Sequence, residues 1–214
     1  MNRKSTRKSK NNQRRSRNIR KIGVSVLAIV TIFVLSTGFS LKTDIFKTNV
    51  ESPTDADAWE YIEKYKDLAI IEMHRSGIPA SITLAQGLHE TNFGKSRLYK
   101  EANNHFGIKC KSYWVGTTFY YKDDDKDRTG NLIESCFRSY GSALASYVDH
   151  SNFLVNSPHY ARLFDYGRKD YESWAHGLKN CGYATDPNYA YKLIEKVNRY
   201  YLNQFDEEKN PLKR

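Results

Sequence analysis

One carboxylate stands out in the stretch Ala85-Gln86-Gly87-Leu88-His89-Glu90-Thr91-Asn92-Phe93-Gly94. Ile82, Leu84, Ala85 and Leu88 surround Glu90 with apolar side chains near the end of a short helical pattern. Gly77-Ile78-Pro79 opens that pattern with a turn and a proline suited to a first helical turn. Gly94 ends it, because glycine readily takes the left-handed conformation at a helix terminus. Apolar neighbours and the negative end of the helix dipole both disfavour an ionised carboxyl group. A glutamic acid held protonated near neutral pH is equipped for general acid catalysis. The alternative reading is an ordinary solvated glutamate in a last helical turn.

The other chemistry-bearing clusters are weaker. Asp123, Asp125, Asp127, Asn131 and Glu134 fall at positions 1, 3, 5, 9 and 12 of a calcium loop. Arg128 occupies the position that needs glycine, and flanking helices are missing, so the calcium reading fails. No His-Glu-x-x-His follows His89-Glu90, and the six histidines show no zinc-ligand spacing. His74, His105, His150, His159 and His176 read as surface or packing residues. No metal and no cofactor is expected. Of the three cysteines, Cys110 and Cys136 bracket the acidic segment, and a bridge between them would clamp it. Cys181 is left single and reads as buried.

The surrounding elements fix where these groups sit. The net charge is +10, but residues 1–21 hold ten Lys or Arg and no acid. Taking those ten from 34 leaves 24 basic residues against 24 acidic ones. The rest of the chain is formally neutral, so nothing there requires the basic surface of a nucleic-acid-binding domain, and no nucleic-acid partner is expected. Ile22 to Leu41 is a 20-residue run without charge, long enough to cross a bilayer core as a helix. The basic block before it orients the tail to the cytoplasm. The expected organisation is a basic tail over 1–21, a transmembrane signal anchor over 22–41 and a linker over 42–57. A domain over 58–206 and a polar tail over 207–214 complete it. A cleaved signal peptide is the alternative for the apolar run.

Within the domain, Ala58, Ile62, Tyr65, Ala69 and Met73 recur at helical spacing. Further helices are expected over Pro79–Phe93, from Ser142 through Leu154, over Tyr171–Leu178, and from Asp186-Pro187 through Tyr201. Val115 to Tyr121 and Cys136 to Tyr140 favour strand, with Asp123 to Gly130 between them. The fold class is mainly α with a small β-hairpin lobe.

Four segments carry a family resemblance. Gln86 to Gly94 resembles the active-site helix of family 73 glycoside hydrolases, the glucosaminidase domain of bacterial cell-wall hydrolases. Asn103-Asn104-His105-Phe106-Gly107-Ile108-Lys109, Phe137-Arg138-Ser139-Tyr140 and Gly182-Tyr183-Ala184-Thr185-Asp186-Pro187 resemble the three following motifs of that family, in its order. The resemblance implies a lysozyme-like fold and cleavage of the β-1,4 bond after N-acetylglucosamine in peptidoglycan glycan strands. It puts Glu90 at the general acid and Tyr183 at the active-site tyrosine.

Many family members carry a glutamate on the hairpin as the second carboxylate. This chain instead has Asp123, Asp124 and Asp125, and counting back from Phe137 makes Asp124 the best match; Glu134 is a further candidate. A substrate-assisted mechanism, with the sugar acetamide as nucleophile, stays open. Asn104, Phe106, Trp114 and Tyr121 are candidates for contacting sugar, with plain packing as the other role, Phe106 reading as core. Two rival functions remain: a lytic transglycosylase needing only Glu90, and a membrane-tethered wall-binding module with a decayed site. The catalytic domain is expected outside the cytoplasm, held at the cell membrane by the single span.

Overall fold

In the computed structural model the chain divides into two units, residues 1–50 and 51–214, and the described residues are 53–213, without the side chains of Asp123 and Asp124. The basic tail, the expected anchor over 22–41 and most of the expected linker lie outside the described residues. Among the described residues no helix is long and apolar enough to cross a membrane.

Helix α1 spans Asp55–Ser76 and starts inside the segment expected as linker. The reason is local: the Thr54 side chain accepts from the Asp57 amide while the Asp57 carboxylate accepts from the Thr54 amide. This reciprocal cap satisfies two of the amides that a helix start leaves unpaired. Gly77, at φ 85°, ends the helix in the left-handed conformation. Ala58, Ile62, Tyr65, Ala69 and Met73 form the buried stripe that their spacing predicted.

Helix α2, Ala80–Glu90, is the centre of the fold. Every residue from Ala80 to Leu88 is buried, and α2 lies against α1, against the later helix α6 (Tyr189–Arg199) and against a short 3-10 segment, Leu202–Glu207. Burying Ile82, Leu84 and Leu88 contributes about 1.5–3 kcal/mol each. Pro79 precedes the helix as its cap residue rather than lying in its first turn. The N-terminal amides are met from far along the chain: the Asp206 carboxylate accepts from the Ser81 amide at 2.9 Å and from the Ser81 hydroxyl at 2.7 Å. The helix ends at Glu90, three residues before the expected Phe93. Asn92, Phe93 and Gly94 all take positive φ, held because the Thr91 hydroxyl donates to the Gly87 carbonyl and accepts from the Gly94 amide.

A short helix α3, Arg97–Ala102, leads to the hairpin. Strands β1 (Thr118–Lys126) and β2 (Leu132–Arg138) pair antiparallel, with Phe119 opposite Phe137 and Tyr121 opposite Ser135. The acidic run belongs to β1, where the sequence had suggested a connecting segment. The ladder is irregular between Lys122 and Lys126. The turn is closed by the Asp127 carboxylate, which accepts from the Thr129 and Asn131 amides. Lys109 adds one bridge to β2 at Phe137.

Helix α4 (Ala143–Val155) starts where expected, with the Ser142 side chain accepting from the Ala145 amide. A 3-10 segment, Pro158–Asp165, and helix α5 (Tyr171–Asn180) precede α6. Helix α6 begins at Tyr189 and not at Pro187, because the Asp186 side chain accepts from the Asn188 amide and forms a turn first. The domain is thus mainly helical with a small hairpin lobe.

Candidate active site

Glu90 sits at the C-terminal end of α2 on one wall of a cleft of about 500 Å³. Phe106, Gly107, Ile108, Lys109, Asp125, Tyr160 and Tyr183 share its lining. The two carboxyl oxygens of Glu90 meet different surroundings. Oε1 accepts from the Tyr189 hydroxyl at 3.0 Å. Oε2 faces Gly107, where an added Cβ would lie 3.3 Å away. Gly107 has φ +64°, so glycine there supplies both the left-handed turn and the space in front of the acid.

Behind Glu90 a buried relay runs into the core. Gln86 Nε2 donates to the Tyr189 hydroxyl at 3.1 Å, and that hydroxyl donates to Glu90. Gln86 and Glu90 are one helical turn apart, so Tyr189 spans the i, i+4 pair from α6. Burial and the neighbouring Glu90 charge push the Tyr189 hydroxyl well above the ordinary tyrosine value, which keeps it a donor. Tyr183 is pushed up by the same two causes. It stacks on Tyr189 with ring centroids 5.7 Å apart and donates to the Phe106 carbonyl at 3.1 Å. Burial pushes His89 down to about 4, so its ring is neutral at ordinary pH.

The opposite wall is the hairpin. Asp125 points its carboxylate into the cleft, where Oδ2 accepts from Lys109 Nζ at 2.6 Å and from the Ser135 hydroxyl. The Lys109 ammonium, then Ser135, hold Asp125 below the usual carboxylate range. The side chain of Asp124, the acid expected from counting, lies outside the described residues; Glu134 is an exposed residue of β2 opposite Lys122.

Of the remaining sequence candidates, the cleft gathers Phe106 and Tyr183 and not the other three. Asn104 is 1 % exposed and turned inward: its side chain donates to the Ile108 and Arg138 carbonyls and accepts from the Phe106 and Ile108 amides. It shapes the loop in front of Glu90 instead of reaching sugar. Trp114 packs under the Arg138 guanidinium, with its indole N–H on the Thr117 carbonyl. Tyr121 packs against the small cluster of Leu98, Ala102 and Phe137. Cys110 and Cys136 form a disulfide with Cα atoms 5.3 Å apart, and Cys181 is free and buried.

A second groove, lined by Lys111, Tyr113, Arg138, Asn152, Asn156 and His159 among others, continues from the first through Lys111, Phe153, Tyr160 and Gly182. The family model described as mannosyl-glycoprotein endo-beta-N-acetylglucosaminidase matches residues 66–202, which holds both walls of the cleft. The chain belongs to the glucosaminidase family. It is 31 % identical over 203 residues to the exo-glucosaminidase LytG of Bacillus subtilis, covering 91 % of this chain and 70 % of LytG. It is 32 % identical over 166 residues to the peptidoglycan hydrolase FlgJ of Vibrio cholerae, covering 72 % of this chain but only 49 % of FlgJ. A crystal structure of a mutant peptidoglycan hydrolase from Sphingomonas sp. A1 superposes with a TM-score of 0.59 at 30 % identity, covering 68 % of this chain and 96 % of that one. Tyr189 and Gln86 carry no role in the sequence reading, which names Asp125 among the hairpin acids, behind Asp124. The signal for Tyr189 was its place on the first turn of the helix after the Gly-Tyr-Ala-Thr-Asp segment.

Proposed function

We propose that this glucosaminidase hydrolyses the β-1,4 bond after N-acetylglucosamine in peptidoglycan, with Glu90 as general acid. The observation that carries the reading is the two-walled cleft, with Glu90 on the buried helix and Asp125 on the hairpin. Glu90 delivers its proton to the glycosidic oxygen. Tyr189 then donates to the carboxylate that this leaves. Asp125, kept ionised by Lys109, supplies negative charge to the oxocarbenium-like transition state. Tyr183 and Phe106 form the floor. The continuation of the cleft into the second groove gives a glycan strand room beyond the cleaved bond, which favours internal cleavage over removal of terminal sugars.

The decisive test replaces Glu90 by Gln, which keeps the shape but delivers no proton. Loss of roughly 10²–10⁴ in rate on purified peptidoglycan is expected, with the fold intact. Activity within a few-fold of wild type sinks the assignment. Asp125→Asn and Asp124→Asn, assayed side by side, decide between the two hairpin acids; Asp125 is expected to dominate. Mass analysis of the fragments separates hydrolysis, which leaves a reducing N-acetylglucosamine end, from transglycosylation, which leaves an anhydro-muramic end.

The reading also places the domain outside the cytoplasm on a single anchor over 22–41. Its supports are the uncharged 20-residue run after ten basic residues and a disulfide suited to an oxidising compartment. A reporter active only outside the cytoplasm, fused at residue 50, should give signal. A soluble cytoplasmic fusion refutes the anchor.

A further inference from the structure

The disulfide occupies an informative place relative to the cleft. Cys110 directly follows Lys109, and Cys136 directly follows Ser135. Lys109 and Ser135 are the two donors that hold the Asp125 carboxylate. The bridge therefore ties together, one residue away on each side, the two halves of the Asp125 cradle.

Hydrogen bonds also tie these halves. The Cys110 amide donates to the Cys136 carbonyl at 2.8 Å, and the Arg138 amide to the Ile108 carbonyl at 3.0 Å. Beyond Cys110 the chain runs through an exposed loop, with Val115 99 % exposed, before it enters β1. The hairpin itself has only two strands, and an isolated two-stranded ribbon is marginal in water. On the loop side the backbone at Lys109 is placed by this edge pairing, by the buried Asn104 side chain, which holds the Ile108 and Arg138 carbonyls, and by the bridge.

We infer that the Cys110–Cys136 disulfide is a clasp that positions Asp125 through Lys109 and Ser135, and that turnover depends on its being closed. The inference rests on the reading of Asp125 as the cleft's second carboxylate. A dithiol opens the clasp by ordinary exchange. One of its thiolates attacks a protein sulfur and releases the other as a thiolate. Its second thiolate then displaces the mixed disulfide, leaving two protein thiols and an oxidised cyclic dithiol. Cys110 and Cys136 are both half-buried and within reach of a small reductant, whereas Cys181 is buried.

With the clasp open, Lys109 drifts on its loop and Asp125 loses its fixed pose. Displacement of a reacting group by about 1 Å can cost up to about 10²-fold in rate. The expected signature is a fall in kcat of about tenfold to hundredfold with KM nearly unchanged, because the cleft floor and Glu90 belong to the core.

The experiment treats full-length protein with dithiothreitol, counts free thiols, and follows peptidoglycan turnover and circular dichroism. The same treatment is applied to Asp125→Asn. The inference expects reduction to lower wild-type kcat reversibly, with the helical signal kept, and to leave the residual activity of Asp125→Asn unchanged. Full activity with Cys110 and Cys136 reduced overturns it. So does an equal further loss in Asp125→Asn, or loss of the helical signal, since either means that the bridge supports the fold and not the carboxylate. Wild-type turnover in oxidised Asp125→Asn overturns instead the assignment of Asp125 beneath it. Cys110→Ser with Cys136→Ser should reproduce the reduced state without reductant.

Discussion

Replacing Tyr189 by Phe removes one oxygen atom and nothing else from a side chain that is 1 % exposed. That oxygen accepts from Gln86 at 3.1 Å and donates to Glu90 at 3.0 Å. Its loss acts in two separable ways. The bond to Glu90 is to a group that becomes charged, and such bonds are worth about 1.5–3 kcal/mol. Withdrawing the donor makes the ionised form of Glu90 harder to reach. The alkaline limb of the kcat profile should therefore move to higher pH. On the acidic plateau kcat should fall about tenfold or more, because the same bond stabilises the carboxylate that forms as the proton leaves. The second effect is on stability. Gln86 Oε1 has no hydrogen-bond partner among the described residues, and the substitution strands Nε2 as well. A newly unsatisfied buried donor costs about 1–3 kcal/mol, or about 2–12 °C in Tm for a domain of this size. The assay is a pH series of turnover on soluble glycan fragments beside a thermal melt. A limb that stays in place, or moves to lower pH, refutes the proposed contact whatever happens to Tm.

Gly87→Ala should destabilise by about 1–3 kcal/mol in urea denaturation. An added Cβ would lie 2.4 Å from the Tyr61 hydroxyl, which is boxed in by His105 and Tyr147, and the better helix propensity of alanine does not offset this; stability equal to wild type refutes the close approach. Burial pushes the Asp206 carboxyl up to about 6, so its contribution is present below its unfolded value near 4 and is lost as pH rises through 6. Asp206→Asn should remove that downward slope between pH 4 and 6, on the order of 3 kcal/mol in total, and an unchanged slope counts against it. Burial pushes His150 down to about 3, where it stacks on Phe106 at 3.9 Å. Its contribution runs the opposite way, present above its unfolded value of about 6.5 and lost as pH falls toward 3, so His150→Leu should flatten the acid side of the stability curve; equal acid sensitivity in the variant speaks against a neutral buried ring.

The parts of this molecule governed by near neighbours in sequence were readable in advance. The stripe of α1 and the Ser142 cap of α4 follow from spacing, and Glu90 stands out by its setting; the bracketing of the acidic segment by Cys110 and Cys136 suggested a bridge, and the structure closes it. What escaped depends on partners far along the chain. Asp206 caps a helix whose first residues lie about 125 positions earlier, and no local pattern announces that. Tyr189 reads as an ordinary apolar residue of an amphipathic helix until α6 is laid beside α2. Asn104 reads as a polar residue facing substrate, yet the tight turn after α3 points it inward to four backbone groups. The hairpin acids illustrate a finer limit. A ladder irregularity between Lys122 and Lys126 breaks the simple alternation of faces on which counting along a strand relies.

The segment that family descent preserves and the segment that must cooperate to fold are not the same length here. The family match runs from 66 to 202. Tyr61, which holds His105 beneath the Phe106 loop, precedes it, as do the fully buried Ala58 and Ile62. Asp206, which closes the first turn of the helix carrying Glu90, follows it. A fragment trimmed to the shared boundaries would keep both cleft walls yet uncap the helix that carries Glu90 and open a hole beneath its loop. For recombination, natural or engineered, the tolerable crossover points in this chain lie before Thr54 and after Glu207, outside the limits that likeness alone would draw.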